Sequence, residues 1–571
     1  MHHLVKYAIL FLFCSILTVY ASAQKKDNLG KEYYLAFGPN EGSSDNESVF
    51  ALYLTGPVAT SVTVEVPALS YKQKFNVTPG EVTKVLLPNG ANFGPTVEVT
   101  TSEIVAKGMG VHILANTEIA VYGMNHKLYS SDAFMALPID VLGKEYRTLN
   151  YQSSLVSAFG STNNIPGQFW MVAIEDSTDI SITPNDTTSS GRSPREPFAV
   201  RLDRGDVYLV QGNADRKGND LTGSLIQSTN PIAVFSGHMR AGIPEGFNNI
   251  GANRPSRDHL VEQLPPINLW GNEMIVVPYE SSDSPDVVRI LSATDGNIVS
   301  INNGIVLSLD AGEFYEIRAL REPTVIQSES PVLVGQYMHT SLYGLSSPGS
   351  PDPYGDPAFS LVPPLIQASG RQYVVVVGDT TSIKSQFLTI VSIADSLTNL
   401  TVDSLTISPS EVKTIGSSGY GYVSLPISPG VHAISLNAPY SMNVFGLGPV
   451  DSYSYGVWLM SEPLNSVDRE VADQGELLQF GDISPNPKGK SQSVIILPFY
   501  AKSNLALSWS ICNVDGVIFE HGEMNRIAGK GQISVPASKE LPNGTYFLYI
   551  LAQKQGSSVS ERYTRKFIDI R

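Results

Sequence analysis

The chain has 571 residues, too many for one hydrophobic core, so several domains or repeats are expected. Apolar residues make up 42% and charged residues only 16%, while 48 Gly, 37 Pro and 26 Tyr favour strands and turns over helices. The formal net charge is −16 and there is no long basic run, which argues against a protein that binds nucleic acid through its phosphates.

The N-terminal segment, residues 1–23, has the pattern of a signal peptide. Lys6 precedes the apolar stretch 7–20, and residues 21–23 form a small-residue cleavage site. The apolar stretch is short for a bilayer, and no other segment could span a membrane as a helix. Cys512 would be the only cysteine after cleavage, so the chain must be stabilised by its core and not by disulfides. We therefore expect a secreted or outer-membrane surface protein without a transmembrane helix.

A short motif, Gly-x-x-Tyr, recurs four times along the main part of the chain. The copies begin at Gly30, Gly143, Gly271 and Gly370, with Met274 in place of Tyr in the third copy. Each copy is followed by alternating apolar runs, a turn, a further strand pattern and a run led by Asp. Alternation with period two, bounded by Gly, Pro, Asn and Asp, predicts strands, and no stretch shows sustained helical periodicity. The fold is therefore predicted to be all-β.

Each repeat divides by pattern into two groups of about four strands, and roughly eight such groups predict a β-propeller-like ring. In this count residues 224–228 and 231–237 are two separate strands. The fourth repeat ends with the Asp-led strand 451–459, whereas the strand Tyr33–Gly38 has no Asp-led strand before it. We therefore predict that these two segments pair and close the ring, which would remove exposed sheet edges. The alternative is four tandem β-sandwiches.

The repeat domain is assigned to residues 24–464, followed by a linker at 465–475 and a separate β module at 476–571. The module carries four short motifs: Ser484-Pro485-Asn486-Pro487, Asp515-Gly516, Gly544-x-Tyr546-Phe547 and Lys566-Phe567-Ile568. It resembles the type IX secretion C-terminal sorting domain of Bacteroidota. The resemblance implies a small Ig-like sandwich, export through the outer-membrane secretion machinery, and then release or surface attachment. An ordinary Ig-like sandwich is the alternative.

The repeat domain carries the motifs of a second family. They are Gly30-x-x-Tyr33, Asn116-x-x-Ile119-Ala120-Val121-Tyr122, Ser131-Asp132-Ala133-Phe134, Leu137-Pro138 with Leu142-Gly143, and residues 355–364. Over residues 29–460 the chain resembles the IgGFc-binding protein N-terminal domain family. The resemblance implies a non-enzymatic extracellular protein that binds a protein, glycoprotein or polysaccharide. It transfers no binding residue, because the matched positions look like scaffold.

A histidine followed by an aspartate recurs in three repeats. The pairs are His126 with Asp132, His238 with Asp258, and His339 with Asp356. An imidazole and a carboxylate together could bind a metal, or the histidine could act as a general base that the carboxylate orients. A structural hydrogen bond at each strand end explains the repetition better, so no catalytic residue, metal or cofactor is assigned.

Three long inserts interrupt the repeats, at 183–197, 240–258 and 341–356. Long irregular loops on a rigid β scaffold commonly carry recognition, although a solvated loop is an equal alternative. The second insert holds three arginines in an acidic chain and could meet an anionic group. The candidate binding residues are Arg240, Arg254, Arg257, His238, Asp258, His339 and Asp356.

These features together predict an exported binding or adhesion protein that acts through loops on a β-repeat scaffold. Two alternatives stay open. One is an extracellular glycan hydrolase or lyase that uses carboxylates, whose spacing along a chain is not constrained. The other is a structural protein of the cell envelope.

Overall fold

Alternating, turn-rich sequence dominates the chain, and the computed structural model is accordingly built almost wholly of β-strands. The chain divides into two units, Met1–Glu462 and Pro463–Arg571. The structure describes residues 28–41, 49–127, 130–158, 161–216, 218–244, 256–280, 285–302, 304–340, 355–365, 368–376, 382–448, 451–458, 478–480, 494–501, 504–513, 518–526, 529–536, 544–554 and 560–569. The predicted signal peptide and the predicted linker lie outside these ranges. Within them, no helix is long and apolar enough to cross a membrane.

The first unit contains four copies of one arrangement, each built around a long strand. In the first repeat, the first half of the long strand pairs with the first and third strands, and the third strand pairs with the fourth. The second half pairs with the second strand and the Asp-led strand, and the second strand pairs with the fifth. Each repeat therefore consists of two antiparallel sheets that share the long strand.

The strands of the four repeats follow the same basic order, with the long strand and then the Asp-led strand last. The second repeat has an added β-hairpin, and the first and fourth repeats have added short strands. The first repeat comprises β1 (Gly30–Leu35), β2 (Val49–Thr55), β3 (Thr60–Val66), β4 (Tyr71–Val77), β5 (Thr83–Leu86), β6 (Val105–Ala106), the long β7 (Val111–Lys127) and the Asp-led β8 (Ser130–Met135). The second comprises β9 (Gly143–Arg147), β10 (Ser154–Ala158), β11 (Ser161–Ile165), β12 (Gly167–Ala173), β13 (Thr178–Thr183), β14 (Phe198–Leu202), β15 (Val207–Gln211), the long β16 (Leu225–Ala241) and the Asp-led β17 (Asp258–Gln263).

The third repeat comprises β18 (Gly271–Val276), β19 (Asp286–Ser292), β20 (Asn297–Ile301), β21 (Ile305–Leu309), β22 (Phe314–Leu320), the long β23 (Thr324–Tyr337) and the Asp-led β24 (Phe359–Leu361). The fourth comprises β25 (Ala368–Val376), β26 (Ser385–Ile393), the short helix α1 (Ala394–Leu397), β27 (Thr401–Val402), β28 (Leu405–Thr406), β29 (Lys413–Thr414), β30 (Tyr420–Pro426), the long β31 (Gly430–Leu447) and the Asp-led β32 (Ser452–Val457). Short 3-10 turns lie at Pro67–Leu69, Ala91–Phe93, Ile139–Val141, Ile267–Leu269 and Pro409–Glu411.

The two sheets of a repeat face each other across a core of their own. In β3 the valines at 62, 64 and 66 are buried while the residues between them are partly exposed, as period-two alternation predicts. Leu52 of β2 packs into the same core from the opposite sheet. Each repeat is therefore a small two-layer sandwich.

The second sheet of the second repeat is buried on both faces, because its outer face packs on the first repeat. Phe169 and Met171 of β12 point into the core of the second repeat. Trp170, between them, packs against the first repeat and donates its indole N–H to the carbonyl of Ala36 at 2.9 Å. A Cβ on Gly38 would lie 2.6 Å from this indole ring, so only glycine fits there. The first and second repeats are thus joined by apolar packing and also by the pairing of the short strand Val105–Ala106 with β15.

The Gly-x-x-Tyr motif has a structural explanation. The Tyr146 hydroxyl donates to the carbonyl of Ile232 at 2.7 Å, next to the register shift between β9 and the long strand β16. Tyr33 makes the same bond to Ile119 in the first repeat. The hydroxyl therefore satisfies a carbonyl at the bend where the long strand passes from one sheet to the other.

The glycine of the motif permits close packing within its repeat. A Cβ at this position would lie within 2.4 Å of the proline that ends the same repeat, for the pairs Gly30–Pro138, Gly143–Pro266 and Gly271–Pro364. None of these glycines has a positive φ. Glycine is therefore required by the close contact with proline and not by the backbone conformation of a turn.

The all-β prediction is confirmed, but the predicted strand partners are wrong. β1 pairs with β7 of its own repeat and β32 pairs with β31, so the strand at Tyr33–Gly38 does not pair with the strand at 451–459. The physical reason is that the long strand offers both segments a partner within their own repeat, at a smaller cost in loop closure. Residues 224–228 and 231–237, predicted as two strands, belong to the single strand β16. The groups of four strands that were predicted to form the propeller are therefore assigned incorrectly.

The second unit, by itself, is a β module of two sheets. Its strands are β33 (Leu478–Phe480), β34 (Val494–Ala501), β35 (Leu505–Asn513), β36 (Ile518–Arg526), β37 (Gly529–Pro536), β38 (Gly544–Lys554) and β39 (Ser560–Asp569). One sheet has the order β33-β34-β37 and the other β36-β35-β38-β39. Leu497, Trp509, Ile533 and Leu548 share one core between them.

Candidate functional site

The four Asp-led strands, one from each repeat, meet in the interior of the first unit. The carboxylate of Asp132 in β8 accepts the backbone N–H of Val261 at 3.1 Å, of Phe359 at 3.2 Å and of Ser454 at 3.1 Å. It also accepts the N–H of its neighbour Ala133 at 2.9 Å. These four donors occupy the four lone-pair positions of the carboxylate. One side chain thus bonds to the Asp-led strands of all three other repeats.

A second buried carboxylate extends this network. Oε1 of Glu262 in β17 accepts the N–H of Leu361 at 3.0 Å and the N–H of Gly456 at 3.1 Å. The side chain is only 2% exposed. The second, third and fourth repeats are therefore joined by bonds to one carboxylate as well as by apolar contact.

The first residues of the Asp-led strands also converge. Asp258 accepts the backbone N–H of Ser131 and that of Ser452, the latter at 3.3 Å. The Ser131 hydroxyl donates to Asp451, and the N–H of Asp356 donates to the Ser452 hydroxyl at 2.8 Å. All four connections from a long strand to an Asp-led strand thus end in one place. We call this the insert end, defined by Ser131, Asp258, Asp356 and Asp451.

The two longest of these connections correspond to the predicted inserts 240–258 and 341–356. Residues 245–255 and 341–354, with Arg254 among them, lie outside the described residues. The structure therefore locates the roots of both loops at the insert end. The first predicted loop, 183–197, lies elsewhere, because Asn185 bonds to the carbonyl of Thr222 at 2.7 Å, just before β16 begins.

The carboxylates of the insert end are deeply buried. Asp258 is 0%, Asp356 1% and Asp451 1% exposed. Loss of hydration, followed by the charge of Asp451, raises the pKa of Asp356 to about 8. Burial, followed by the charge of Asp356, raises the pKa of Asp258 well above its usual range. Because these groups cannot all ionise together, the folded state favours their protonated forms. Their side chains have almost no exposed surface for a partner to contact.

His238 and His339 are bonded to backbone and not to the aspartates that follow them. His238 is fully buried, donates from Nε2 to the Gln152 carbonyl at 3.2 Å, and accepts the N–H of Arg240 on Nδ1 at 3.0 Å. Burial lowers its pKa to about 3, so the ring is neutral. Nδ1 of His339 donates to the carbonyl of Thr340 at 2.7 Å. These bonds agree with a structural role for the His–Asp recurrence.

The first repeat contributes a different contact at the insert end. Nδ1 of His126 lies 3.6 Å from Oδ2 of Asp451, which belongs to the fourth repeat. Within the described ranges, no group of three or more His, Cys, Asp and Glu side chains could hold a metal ion. The site thus brings together polar groups of the first and fourth repeats.

The two described arginines of the prediction form a cationic rim at the root of the second insert. Nε of Arg240 donates to the carbonyl of Arg257 at 3.1 Å, and its Nη1 lies 3.7 Å from Oε2 of Glu41. The side chain of Arg240 is 28% exposed. The aliphatic part of Arg257 lies beside Gly242, where an added Cβ would be 3.6 Å from its Cγ. Arg240 and Arg257 have partly exposed side chains, whereas the other predicted residues that the structure describes are buried.

Sequence reasoning did not identify Ser131, Asp451 or Glu262 as members of one network. Glu262 lies in "DHLVEQ", a strand whose every residue is buried. A carboxylate in such a strand needs several hydrogen-bond donors. This burial is visible only in the structure, because most residues of the strand are polar.

Comparison with known proteins gives a family. Residues 132–446, more than half of the chain, match the sequence model described as IgGFc binding protein. The human IgGFc-binding protein is 25% identical over 307 residues, which cover 52% of this chain and 5% of that protein. The chain therefore spans a small fraction of the length of this relative.

Three solved structures have low similarity to the chain. A Parabacteroides merdae beta-glucuronidase is 9% identical, covers 41% of this chain and 34% of its own, and has a TM-score of 0.13. A tetra-tandem repeat from the extending region of a large adhesion protein is 11% identical, with coverages of 73% and 99% and a TM-score of 0.13. Trypsin-activated alpha-2-macroglobulin from Escherichia coli is 8% identical, with coverages of 95% and 49% and a TM-score of 0.17. Scores this low carry no argument about function. The family match, in contrast, runs from the Asp-led strand of the first repeat to the long strand of the fourth, and the chain belongs to the IgGFc-binding protein family.

Proposed function

We propose that the chain is an exported, non-enzymatic binding protein that recognises an extracellular protein, glycoprotein or polysaccharide through the loops of the insert end. The observation that carries this proposal is that four Asp-led strands are bonded together at the point where the two long inserts leave the scaffold. Membership of a family described as IgGFc binding supports a binding role.

The roots of the second insert are fixed before any partner arrives. The N–H of Glu41 donates to the carbonyl of Met239 at 3.1 Å, and Arg240 is tied to Arg257 across the base of the loop. A loop that starts and ends on fixed backbone loses less conformational entropy on binding. This supports recognition by the inserts on a rigid scaffold of repeats.

The partly exposed Arg240 and Arg257 favour contact with an anionic group of the partner. They stand out in a chain of net charge −16, which otherwise repels anions. The buried His238, Asp258, His339 and Asp356 would act indirectly in this proposal, by holding the loop roots in place.

Binding is favoured over glycan hydrolysis by the burial of the carboxylates. A hydrolase needs two carboxyl groups on either side of an accessible scissile bond. Asp258 and Asp356 are at most 1% exposed, so a polysaccharide could not reach them in this conformation. The second unit is proposed to direct export by a type IX-like route, on the motifs in residues 476–571.

The test uses the full chain, immobilised and exposed in turn to mucin glycoprotein, the Fc fragment of immunoglobulin G and an array of plant and host polysaccharides. In the test variant, residues 245–254 and 341–350 are each replaced by a short Gly-Ser linker. The matched control is Arg201→Gln, which changes an exposed arginine of β14 that is bonded to Asp179 and belongs to neither loop.

We expect one partner class to bind the unaltered chain and the control equally, and the loop variant at least about tenfold more weakly. Equal binding by the loop variant would contradict the insert end as the site. Release of shortened saccharide by the unaltered chain would contradict the non-enzymatic role.

A further inference from the structure

A cleft of about 720 Å³ opens between the second and third repeats. Its floor is formed where two glycine turns touch, at Gly223 with φ +89° and Gly312 with φ +87°. A Cβ on Gly223 would lie 2.1 Å from the carbonyl oxygen of Gly312. Both left-handed conformations and this contact require glycine, so a ligand in the cleft would meet bare backbone at its floor.

One wall of the cleft is cationic. Arg147, the last residue of β9, lines it and donates from Nη1 to the carbonyl of Gly223 at 2.9 Å. Its Nε is buried and has no hydrogen-bond partner in the described part of the chain. Burial is also the main cause that lowers the pKa of this guanidinium. The charges of Glu145 and Asp295 partly offset this effect. A guanidinium with one unpaired N–H would gain further stabilisation from an anion in the cleft.

A second arginine lines the same cleft from the loop that precedes β14. Arg195 has φ +64°, a left-handed conformation that is unfavourable for a residue with a side chain. Its backbone N–H donates to the carbonyl of Pro184 at 2.7 Å, which holds the turn in place. Its side chain is exposed, and among the described residues its guanidinium has no hydrogen-bond or ion-pair partner. Strained backbone that places a charged group in a cleft is typical of ligand sites.

The opposite wall comes from the turn of the third repeat between β21 and β22. Oδ1 of Asp310 accepts the N–H of Gly296 at 2.9 Å, and Oε2 of Glu313 accepts the N–H of Asp310 at 3.0 Å. Each carboxylate is thus held through one oxygen, which leaves the other oxygen to accept bonds from a ligand. Carboxylate oxygens of this kind accept hydroxyl donors well.

An aromatic ring completes the lining. Phe314 follows Glu313 and lies partly exposed in the cleft, with one side against the guanidinium of Arg289 at 4.5 Å. A ring fixed in this way offers a flat apolar surface beside the charged groups.

The combination of groups selects the ligand. A polyanion would be repelled by Asp310 and Glu313, and a metal cation by the two arginines. A neutral sugar would offer no negative charge to either guanidinium group. We propose that the cleft binds a carboxylated sugar, with its carboxylate at Arg147 and Arg195, its hydroxyls donating to Asp310 and Glu313, and its ring beside Phe314. Arginine suits a carboxylate because its planar fork can donate two parallel bonds.

This site is separate from the insert end. Leu225, the first residue of β16, lines the cleft, whereas Ala241, its last residue, leads into the second insert. Binding at one site can therefore be lost without loss at the other. Failure of this proposal would leave the loop experiment described for the insert end unaffected.

The test is calorimetric titration of the full chain with three sugars: glucuronic acid, N-acetylneuraminic acid and glucose. We expect at least one of the two acids to bind with Kd of ~10 mM or tighter, and glucose at least about tenfold more weakly. Arg195→Gln should weaken the acid by about tenfold or more. Arg201→Gln, an exposed arginine outside the cleft, should leave the affinity unchanged.

The outcome also distinguishes two sources of the ligand. Preference for glucuronic acid would indicate a uronate-containing polysaccharide, and preference for N-acetylneuraminic acid a sialylated glycoprotein. The proposal is overturned if neither acid binds, if glucose binds as tightly as the acid, or if Arg195→Gln binds like the unaltered chain. Arg195 is exposed, so its replacement should not prevent folding, and the thermal unfolding temperature of each variant checks this.

Discussion

The carboxylate of Asp132 accepts the backbone N–H of Ser454 at 3.1 Å, although the two residues lie 322 positions apart in the chain. This bond joins the first repeat to the fourth. Rings of Tyr122 and Tyr455 reinforce the contact, with centroids 5.4 Å apart. The two terminal repeats of the first unit are thus connected by side chains, and their sheets stay separate. Substitutions at this contact should therefore affect the association of all four repeats.

Replacement of Asp132 by alanine should strongly destabilise the first unit. The change leaves the N–H groups of Val261, Phe359 and Ser454 buried without an acceptor, and each such group costs about 1–3 kcal/mol. Asp132→Asn should also destabilise the first unit, because the amide nitrogen of asparagine would place an N–H donor against backbone N–H donors. We expect the free energy of unfolding in urea to fall by about 3–5 kcal/mol for Asp132→Ala.

The control for this change is Asp179→Asn. Asp179 is an exposed carboxylate bonded to Arg201, and its replacement should leave the urea midpoint unchanged. Equal midpoints for Asp132→Ala and the unaltered chain would show that the central carboxylate does not hold the repeats together.

A glycine-to-alanine change tests the close approach of the third and fourth repeats. A Cβ on Gly456 would lie 1.9 Å from the carbonyl oxygen of Leu361, which is backbone and cannot move aside. Gly456→Ala should cost about 1–3 kcal/mol or more. The matched control is Gly304→Ala, where the nearest atom to the new Cβ is the Ile301 carbonyl oxygen at 3.8 Å. Thermal unfolding should separate the two variants, and similar losses in both would contradict the packing.

The sequence predicted the strand content and the repeats, because period-two alternation and the Gly-x-x-Tyr motif are local signals. Strand partners were not predictable in the same way. In β16 the segment Ser228–Asn230 interrupts the apolar alternation, so one bent strand has the sequence pattern of two strands. Counting it twice produced groups of four strands that belong to different sheets. The register shift between Gln227 and Ile232 is the structural cause of this interruption.

The site was predictable only in part for a related reason. The recurrence of Asp258 and Asp356 marks equivalent ends of strands, but a sequence does not show that these ends meet. Arg147 and Glu313 gave no signal as a pair, since one ends a strand and the other lies in a hairpin turn of a different repeat. Contacts between repeats depend on how the sandwiches pack, which local patterns do not determine.

Stability should fall as the pH rises from about 6.5 to about 8. Asp356 has a pKa of about 8 in the folded state, well above the roughly 3.9 of an unfolded aspartate, so folding favours its protonated form. Its stabilising contribution is complete below the unfolded pKa and is lost as the pH rises to the folded pKa. The slope is at most about 1.4 kcal/mol per pH unit for each such group.

Buried histidines set the lower limit of this pH window. The pKa of His238 and of His259 is about 3 in the folded state, because burial excludes the charged ring. Their contribution is complete above the unfolded pKa of about 6.5 and is lost as the pH falls below it. Below about pH 6.5 the effect of these histidines on stability therefore opposes that of the carboxylates. Above about pH 6.5 they cause no change in stability with pH.

Urea unfolding at pH 6.5, 7.2 and 8 tests this dependence. Asp356→Asn keeps the site neutral and should reduce the slope, whereas Asp179→Asn, an exposed site, should not. Stability that rises with pH over this interval, or a slope unaffected by Asp356→Asn, would contradict proton retention at the insert end.

A buried arginine provides the last test, of the contact between the second and third repeats. Arg289 of β19 is 2% exposed and pairs with Asp220 at 2.8 Å and Glu316 at 3.0 Å. It also donates to the carbonyl of Asn150 at 2.7 Å, and the ring of Tyr151 lies 4.4 Å from its guanidinium. A lysine ammonium cannot serve these directions together or stack on a ring. Arg289→Lys should therefore lose about 2–4 kcal/mol of unfolding free energy.

The matched control is Arg318→Lys. Arg318 pairs with the same carboxylate, Glu316, at 3.1 Å, but its side chain is 77% exposed. Exposed pairs contribute little, so its replacement should change the unfolding free energy by less than about 0.5 kcal/mol. Burial is then the main difference between two arginines that share one partner. If both variants lost the same stability, Coulomb attraction to Glu316 would account for the effect, and the buried bonds to the second repeat would contribute nothing measurable.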